Sequence, residues 1–167
     1  KKRPSVQEET IKTVGELAEA ARLFEMGELQ DSVMLSRLFN SAGSTGGAHP
    51  KANVIGEDGL YKIVKFPSAK DIFDVVGLEA SCLELARMAG MRVPDFEIIE
   101  AGSRKALCLD RFDRADEGCR HMISMQTLLK ATNEYYHATY VQMADVLRSV
   151  SSNTSGDLHA LVRPMMF

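Results

Sequence analysis

Residues 61–68 read YKIVKFPS. Successive side chains of a strand point to opposite faces, so Tyr61, Ile63 and Lys65 share one face and Lys62, Val64 and Phe66 the other. Pro67 stops the strand. A lysine set among Ile63, Val64 and Phe66 calls for a partner, because an unpaired ammonium is expensive to bury. One alternative is an edge strand from which the lysine snorkels to water. The other is an ion pair with the helix that follows. There Glu79 is the acid with small or apolar neighbours, and Glu84 is the second choice.

Outward from this strand, Ala52 to Gly56 reads as a short strand and Glu57-Asp58-Gly59 as a turn. With Leu60 to Phe66 they make a hairpin. Downstream, Asp71 to Ala89 reads as a helix with an apolar stripe of Ile72, Val75, Val76, Ala80, Leu83 and Ala86. Gly90 closes it and Pro94 lies just beyond. Two further strands are expected at Asp95 to Glu100 and Lys105 to Arg111. Ala106-Leu107-Cys108-Leu109 is nearly continuous in apolar character, which places the second strand centrally. Asp113 to Arg120 reads as a polar loop. Helical periodicity returns over Met125 to Lys130, Thr139 to Val150 and from Asp157 onward, with Ser151 to Gly156 as a flexible joint.

Upstream, Ser5-Val6-Gln7-Glu8 has the form of a capping box. Ile11, Val14, Leu17, Ala18, Ala21 and Phe24 follow at helical spacing, and Gly27 ends that helix. A second short helix is expected from Gln30 to Phe39. The expected class is α+β: helices over residues 1–40, an antiparallel sheet with one inserted helix over 41–115, and the start of a helical region over 116–167.

Bulk properties narrow the function classes. The chain has 167 residues, 45% hydrophobic and 26% charged, the range of one ordinary soluble domain. Its net charge of −3 provides no global basic field, so direct nucleic-acid binding is not expected. Cys82, Cys108 and Cys119 form no CxxC, and no histidine pair has ligand spacing. This argues against a disulfide framework or a metal site and for a reducing cytoplasm. No apolar run approaches about 18 residues and no signal-peptide pattern opens the chain, so no membrane association is expected.

Three segments carry candidate chemistry. SAGSTGGAHPK, residues 41–51, is rich in glycine but is not a Walker A loop. Pro50 precedes Lys51 and Ala52 follows it, where that motif needs a hydroxyl for Mg²⁺. A linker is one reading. The other is a loop before a strand pair whose backbone N–H groups cover phosphates, as in protein kinases. A strand lysine paired to a helix glutamate, here Lys65 and Glu79, is how kinases hold a lysine against ATP phosphates. Asp110-Arg111-Phe112-Asp113-Arg114 is either a salt-bridged turn anchored by Phe112 or a hinge whose backbone reads an adenine edge. No G-x-S-x-G accompanies His121, His137 or His159, which disfavours serine-hydrolase chemistry. His49 reads first as a loop histidine.

Together SAGSTGGAHPKA, YKIVKFPS, GLEASCLELARMAGMRVPDFEII and ALCLDRFDR, in this order, resemble the HipA-like kinase family, the toxin kinases of bacterial type II toxin–antitoxin systems. The resemblance spans about residues 30 to 130 most clearly. It implies a protein-kinase-like small lobe flanked by helices, followed by the first helices of a large lobe. It implies an ATP-covering loop of Thr45, Gly46, Gly47, Ala48, His49, Pro50 and Lys51, a phosphate-binding Lys65 partnered by Glu79, and an adenine-contacting hinge at Asp110, Arg111 and Phe112. Asp110 stands where the family often has Glu. Ser44 matches a loop serine that such kinases can autophosphorylate. A DNA-binding antitoxin is the implied partner and a protein serine or threonine the implied substrate.

The family's catalytic pattern G-N-x-D-x-H-x-x-N and its later metal-holding aspartate do not occur in the 167 residues. Residues 157–167 resemble the helix leading into that pattern. The expectation is therefore a fragment without catalytic residues: ATP and Mg²⁺ belong to an intact parent, and the chain itself is inactive and holds no cofactor. The competing expectation is a non-catalytic, antitoxin-binding module. In either case self-association through an exposed apolar face is expected.

Overall fold

A computed structural model describes residues 9–10, 14–28, 49–115, 118–129 and 139–167. These residues form an α+β structure. In chain order the elements are β1 (Glu9–Thr10), α1 (Val14–Glu25), β2 (Lys51–Ile55), β3 (Tyr61–Lys65), α2 (Val75–Met88), β4 (Phe96–Ala101) and β5 (Arg104–Asp110). A two-strand ribbon of β6 (Arg114–Ala115) and β7 (Gly118–Cys119) follows. Three helices come last: α3 (Met125–Leu128), α4 (Tyr140–Val150) and α5 (Thr154–Met166).

The main sheet runs β1-β2-β3-β5-β4. Strands β2 to β5 are antiparallel, and β1 joins the edge in parallel with Glu9 opposite Val54. The hairpin between β2 and β3 closes as expected, with Gly59 at a φ of 77° that non-glycine residues seldom adopt. The apolar strand β5 lies between β3 and β4, so Ala106 to Leu109 are buried on both sides of the sheet.

Alternation along the strands builds two cores. Ala52, Val54, Val64, Phe66, Ala106 and Cys108 pack with Val14, Leu17, Ala18 and Ala21 of α1. On the opposite face, Leu107 and Leu109 pack with Val76 and Ala80 of α2, and Ile63, Leu83 and Phe96 close around them. The sheet is thus covered by one helix on each face, and the Lys65 face of β3 is the α2 face. Burial pushes the thiol of Cys108 up to about 11, so it is an inert apolar filler.

Several boundaries differ from the sequence expectation, each for a local reason. The capping box expected at Ser5 to Glu8 lies outside the described residues; Glu9–Thr10 is a strand paired with β2, and α1 is described from Val14. Helix α2 starts at Val75 rather than Asp71. Asp74 is its N-cap, its side chain accepting Gly77 N–H at 2.8 Å. Ile72 consequently precedes the helix and is 94% exposed instead of lining its apolar stripe. The loop expected over 113–120 contains the β6–β7 ribbon. The joint expected over 151–156 is shorter, since Asn153 caps α5 and helix begins at Thr154. The helix expected over 30–39 lies outside the described residues.

The packing makes a direct contrast between a core and a surface position. Leu107→Ala should lower the free energy of unfolding by about 3 kcal/mol in denaturant titration. Ile72→Ala should change it by no more than about 0.5 kcal/mol.

Candidate functional site

Register places the candidate cations. Lys51 on β2 is directly opposite Lys65 on β3, and Leu107 on β5 is opposite Lys65 on the other side. Directly opposed residues share a face, so both lysines lie on the α2 side of the sheet. The ammonium of Lys65 donates to Oε1 of Glu79, on the second turn of α2. The pair is open: 34% and 36% of the two side chains remain exposed. Glu84, the second choice, is turned to Arg87 at 3.2 Å. Next to Glu79, helices α2 and α5 enclose a cleft of about 810 Å³ lined by Cys82, Leu83, Met91, His159 and Phe167, among others.

Two other cations of the sheet are closed off. Lys62, on the Val64 face, donates to Asp110 at 2.6 Å and Asp58 at 3.1 Å with only 12% of its side chain exposed. Burial works against its charge, but the hydrogen bonds to Asp110 and Asp58 outweigh that and hold its pKa above the ordinary lysine value. Arg111, 9% exposed, donates through Nε at 2.9 Å and Nη2 at 2.6 Å to the two oxygens of Asp113. Its Nη1 donates to Oδ1 of Asn53 on β2. The hydrogen bonds from Arg111 hold the Asp113 carboxyl below the ordinary aspartate range.

The strand-end segment is therefore occupied on its side-chain side. Asp110 N–H donates to the Asp95 carbonyl at 2.8 Å and Arg111 N–H to the Tyr61 carbonyl at 2.9 Å. Among the described residues, neither the N–H nor the exposed ring of Phe112 has such a partner. At the entry to β2, the Pro50 carbonyl accepts Phe66 N–H at 2.9 Å, and His49 Nε2 is 2.9 Å from Oδ1 of Asp71. That bond from His49 is the main cause holding Asp71 below the usual carboxylate range.

The structure thus brings Lys51, Lys65 and Glu79 together. It sets Asp110 opposite Lys62, about 10 Å along the strand from Lys65, with Arg111 and Phe112 following at the Tyr61 end of β3. Ser44, Thr45, Gly46, Gly47 and Ala48 lie outside the described residues. The salt-bridged turn read at Asp110 to Arg114 is present, with Arg111 and Arg114 both paired to Asp113, but Phe112 is exposed and does not anchor it. Asn53 and Asp71 were missed as partners. Asn53 carried a signal, a polar residue inside a buried strand; Asp71 carried none, its partner being 22 residues away.

The family model for the HipA-like C-terminal domain matches residues 43–167. The chain belongs to this family. No solved structure matches it. The family range takes in His49, Lys51, Lys65, Glu79 and the Asp110–Phe112 segment, and it begins after α1.

The Arg111 anchor gives a pH-dependent expectation. A carboxyl held below its unfolded value, near 3.9, contributes stability above that value and loses it as pH falls through the folded one. Asp113→Asn should cost about 1.5 kcal/mol in denaturant unfolding at pH 7. It should also flatten the loss of stability that the unsubstituted chain shows on acidification below about pH 4.

Proposed function

We propose that this chain carries the nucleotide-binding lobe of a HipA-like serine/threonine kinase, with the lobe over residues 41–115 and the start of a helical lobe over 116–167. The observation that carries the reading is the Lys65–Glu79 pair. Of the sheet's cations with assigned carboxylates, Lys65 is the one left open, whereas Lys62 and Arg111 are enclosed by their acids. An ammonium oriented by one carboxylate and still reachable from solvent keeps donors for an incoming phosphate oxygen. Lys51 stands opposite it on the same face with its side chain buried. The Lys65 donors fit the phosphates of MgATP.

The same reading assigns Thr45, Gly46, Gly47, Ala48, His49, Pro50 and Lys51 to the phosphate cover and Ser44 to regulatory phosphorylation. It assigns the adenine contact to the backbone of Asp110 to Phe112. Because the N–H groups of Asp110 and Arg111 are already donated within the sheet, Phe112 N–H is the donor for the adenine edge. The parent protein transfers the γ-phosphoryl of ATP to a protein serine or threonine, as the toxin of a pair with a DNA-binding antitoxin.

A second reading, a non-catalytic module that binds an antitoxin, draws support from exposed apolar side chains. Phe73, Leu78, Leu85 and Met88 lie on and before α2, and Met166 and Phe167 at the end of α5.

Titration with MgATP followed by amide NMR separates the two. The nucleotide reading expects shift changes centred on Lys51, Lys65 and Phe112 that vanish in Lys65→Ala. Absence of any change at these amides at millimolar MgATP would favour the partner-binding module.

A further inference from the structure

A chain of hydrogen bonds joins α1, which precedes the family range, to the end of the glycine-rich stretch. Glu25 is the last residue of α1. Its Oε1 accepts Ser68 Oγ–H at 2.8 Å and its Oε2 accepts Ala69 N–H at 2.7 Å. Ser68 N–H is donated to Oδ2 of Asp71 at 2.8 Å, and the other oxygen of Asp71 accepts His49 Nε2–H at 2.9 Å. Arg104, at the start of β5, adds a bond to the Ser68 carbonyl at 3.1 Å. Ser68 is buried, and Asp71 is 14% exposed.

None of these bonds is required to form a strand or a helix. His49 and Asp71 belong to no common element, yet the carboxylate of Asp71 is divided between the imidazole and the Ser68 amide. Glycine-rich chain loses more conformational freedom on ordering than other chain, so its position depends on how firmly its ends are held. Here the downstream end is held at His49, two residues before Lys51. Pro50, in between, is bonded to Phe66 N–H.

We propose that His49 is a positioning residue, clamped by the Glu25–Ser68–Asp71 chain, which fixes where the glycine-rich stretch enters β2 beside Lys51 and Lys65. The clamp itself is independent of any ligand. Its consequence, tighter binding of nucleotide phosphates, rests on the nucleotide reading above.

Hydrogen exchange of the full 167-residue chain without nucleotide tests the clamp. The reporter is the Phe66 amide, because it is donated to Pro50; the Ile63 amide, in mid-strand, is the internal control. Phe66 exchange should rise roughly five-fold in His49→Phe, Asp71→Ala and Glu25→Gln, the effect of losing about one hydrogen bond. Ile63 exchange should not change. His49→Gln, which keeps a side-chain N–H donor, should restore the original rate. An unchanged Phe66 rate in His49→Phe, or a His49→Gln variant as fast as His49→Phe, overturns the proposal. A parallel MgATP titration separates the two levels. If Lys65→Ala abolishes binding, Asp71→Ala and Glu25→Gln, which lie outside the nucleotide contacts, should each weaken it roughly five-fold. If Lys65→Ala leaves binding unchanged, the nucleotide reading fails, and the exchange rates still decide the clamp.

Discussion

The structure rests on the two-residue alternation of β3 between a helix on each face of the sheet. Val64 and Phe66 enter the core under α1, and Ile63 enters the core under α2. The two lysines of the strand fall on opposite faces by the same rule. Each then needs its own acid, and each has one from a different element: Lys62 from β5 and the hairpin turn, Lys65 from α2. A shift of register by one residue would exchange these faces and carry each lysine away from its acid.

The acids differ in how completely they enclose their cations, and this separates support from a candidate function. Lys62 and Arg111 are almost withdrawn from water and hold strand ends together. Arg111 ties the exit of β5 to β2 through Asn53 and to its own turn through Asp113. Lys65 is oriented but not enclosed. An ion pair this open adds at most about 1 kcal/mol of stability, so Lys65 is not a structural support of the kind that Lys62 and Arg111 are.

Much of this was legible in the sequence because it depends on short-range patterns. The hairpin around Glu57-Asp58-Gly59, the apolar run Ala106 to Leu109 and the helix ending before Gly90 each carry their own turn or burial signal. The pairing of Lys65 with Glu79 could be read because Glu79 has no competing role among small and apolar neighbours. What escaped depends on distant partners. Nothing local to Glu9–Thr10 announces that β2 recruits them as a strand. Asp71 and Asp74 are equally good caps by type; Asp74 caps α2 because Asp71 is committed to Ser68 and His49. That α1 anchors the loop after β3 through Glu25 follows from a contact 43 residues long, with no local trace.

The most direct measurement of the central claim is a crystal structure of this chain with Mg²⁺ and a non-hydrolysable ATP analogue. The account predicts a phosphate oxygen within hydrogen-bonding distance of Lys65 Nζ, the Lys65–Glu79 pair retained, and the adenine edge against Phe112 N–H. Nucleotide bound elsewhere, or phosphates that leave Lys65 untouched, would contradict it.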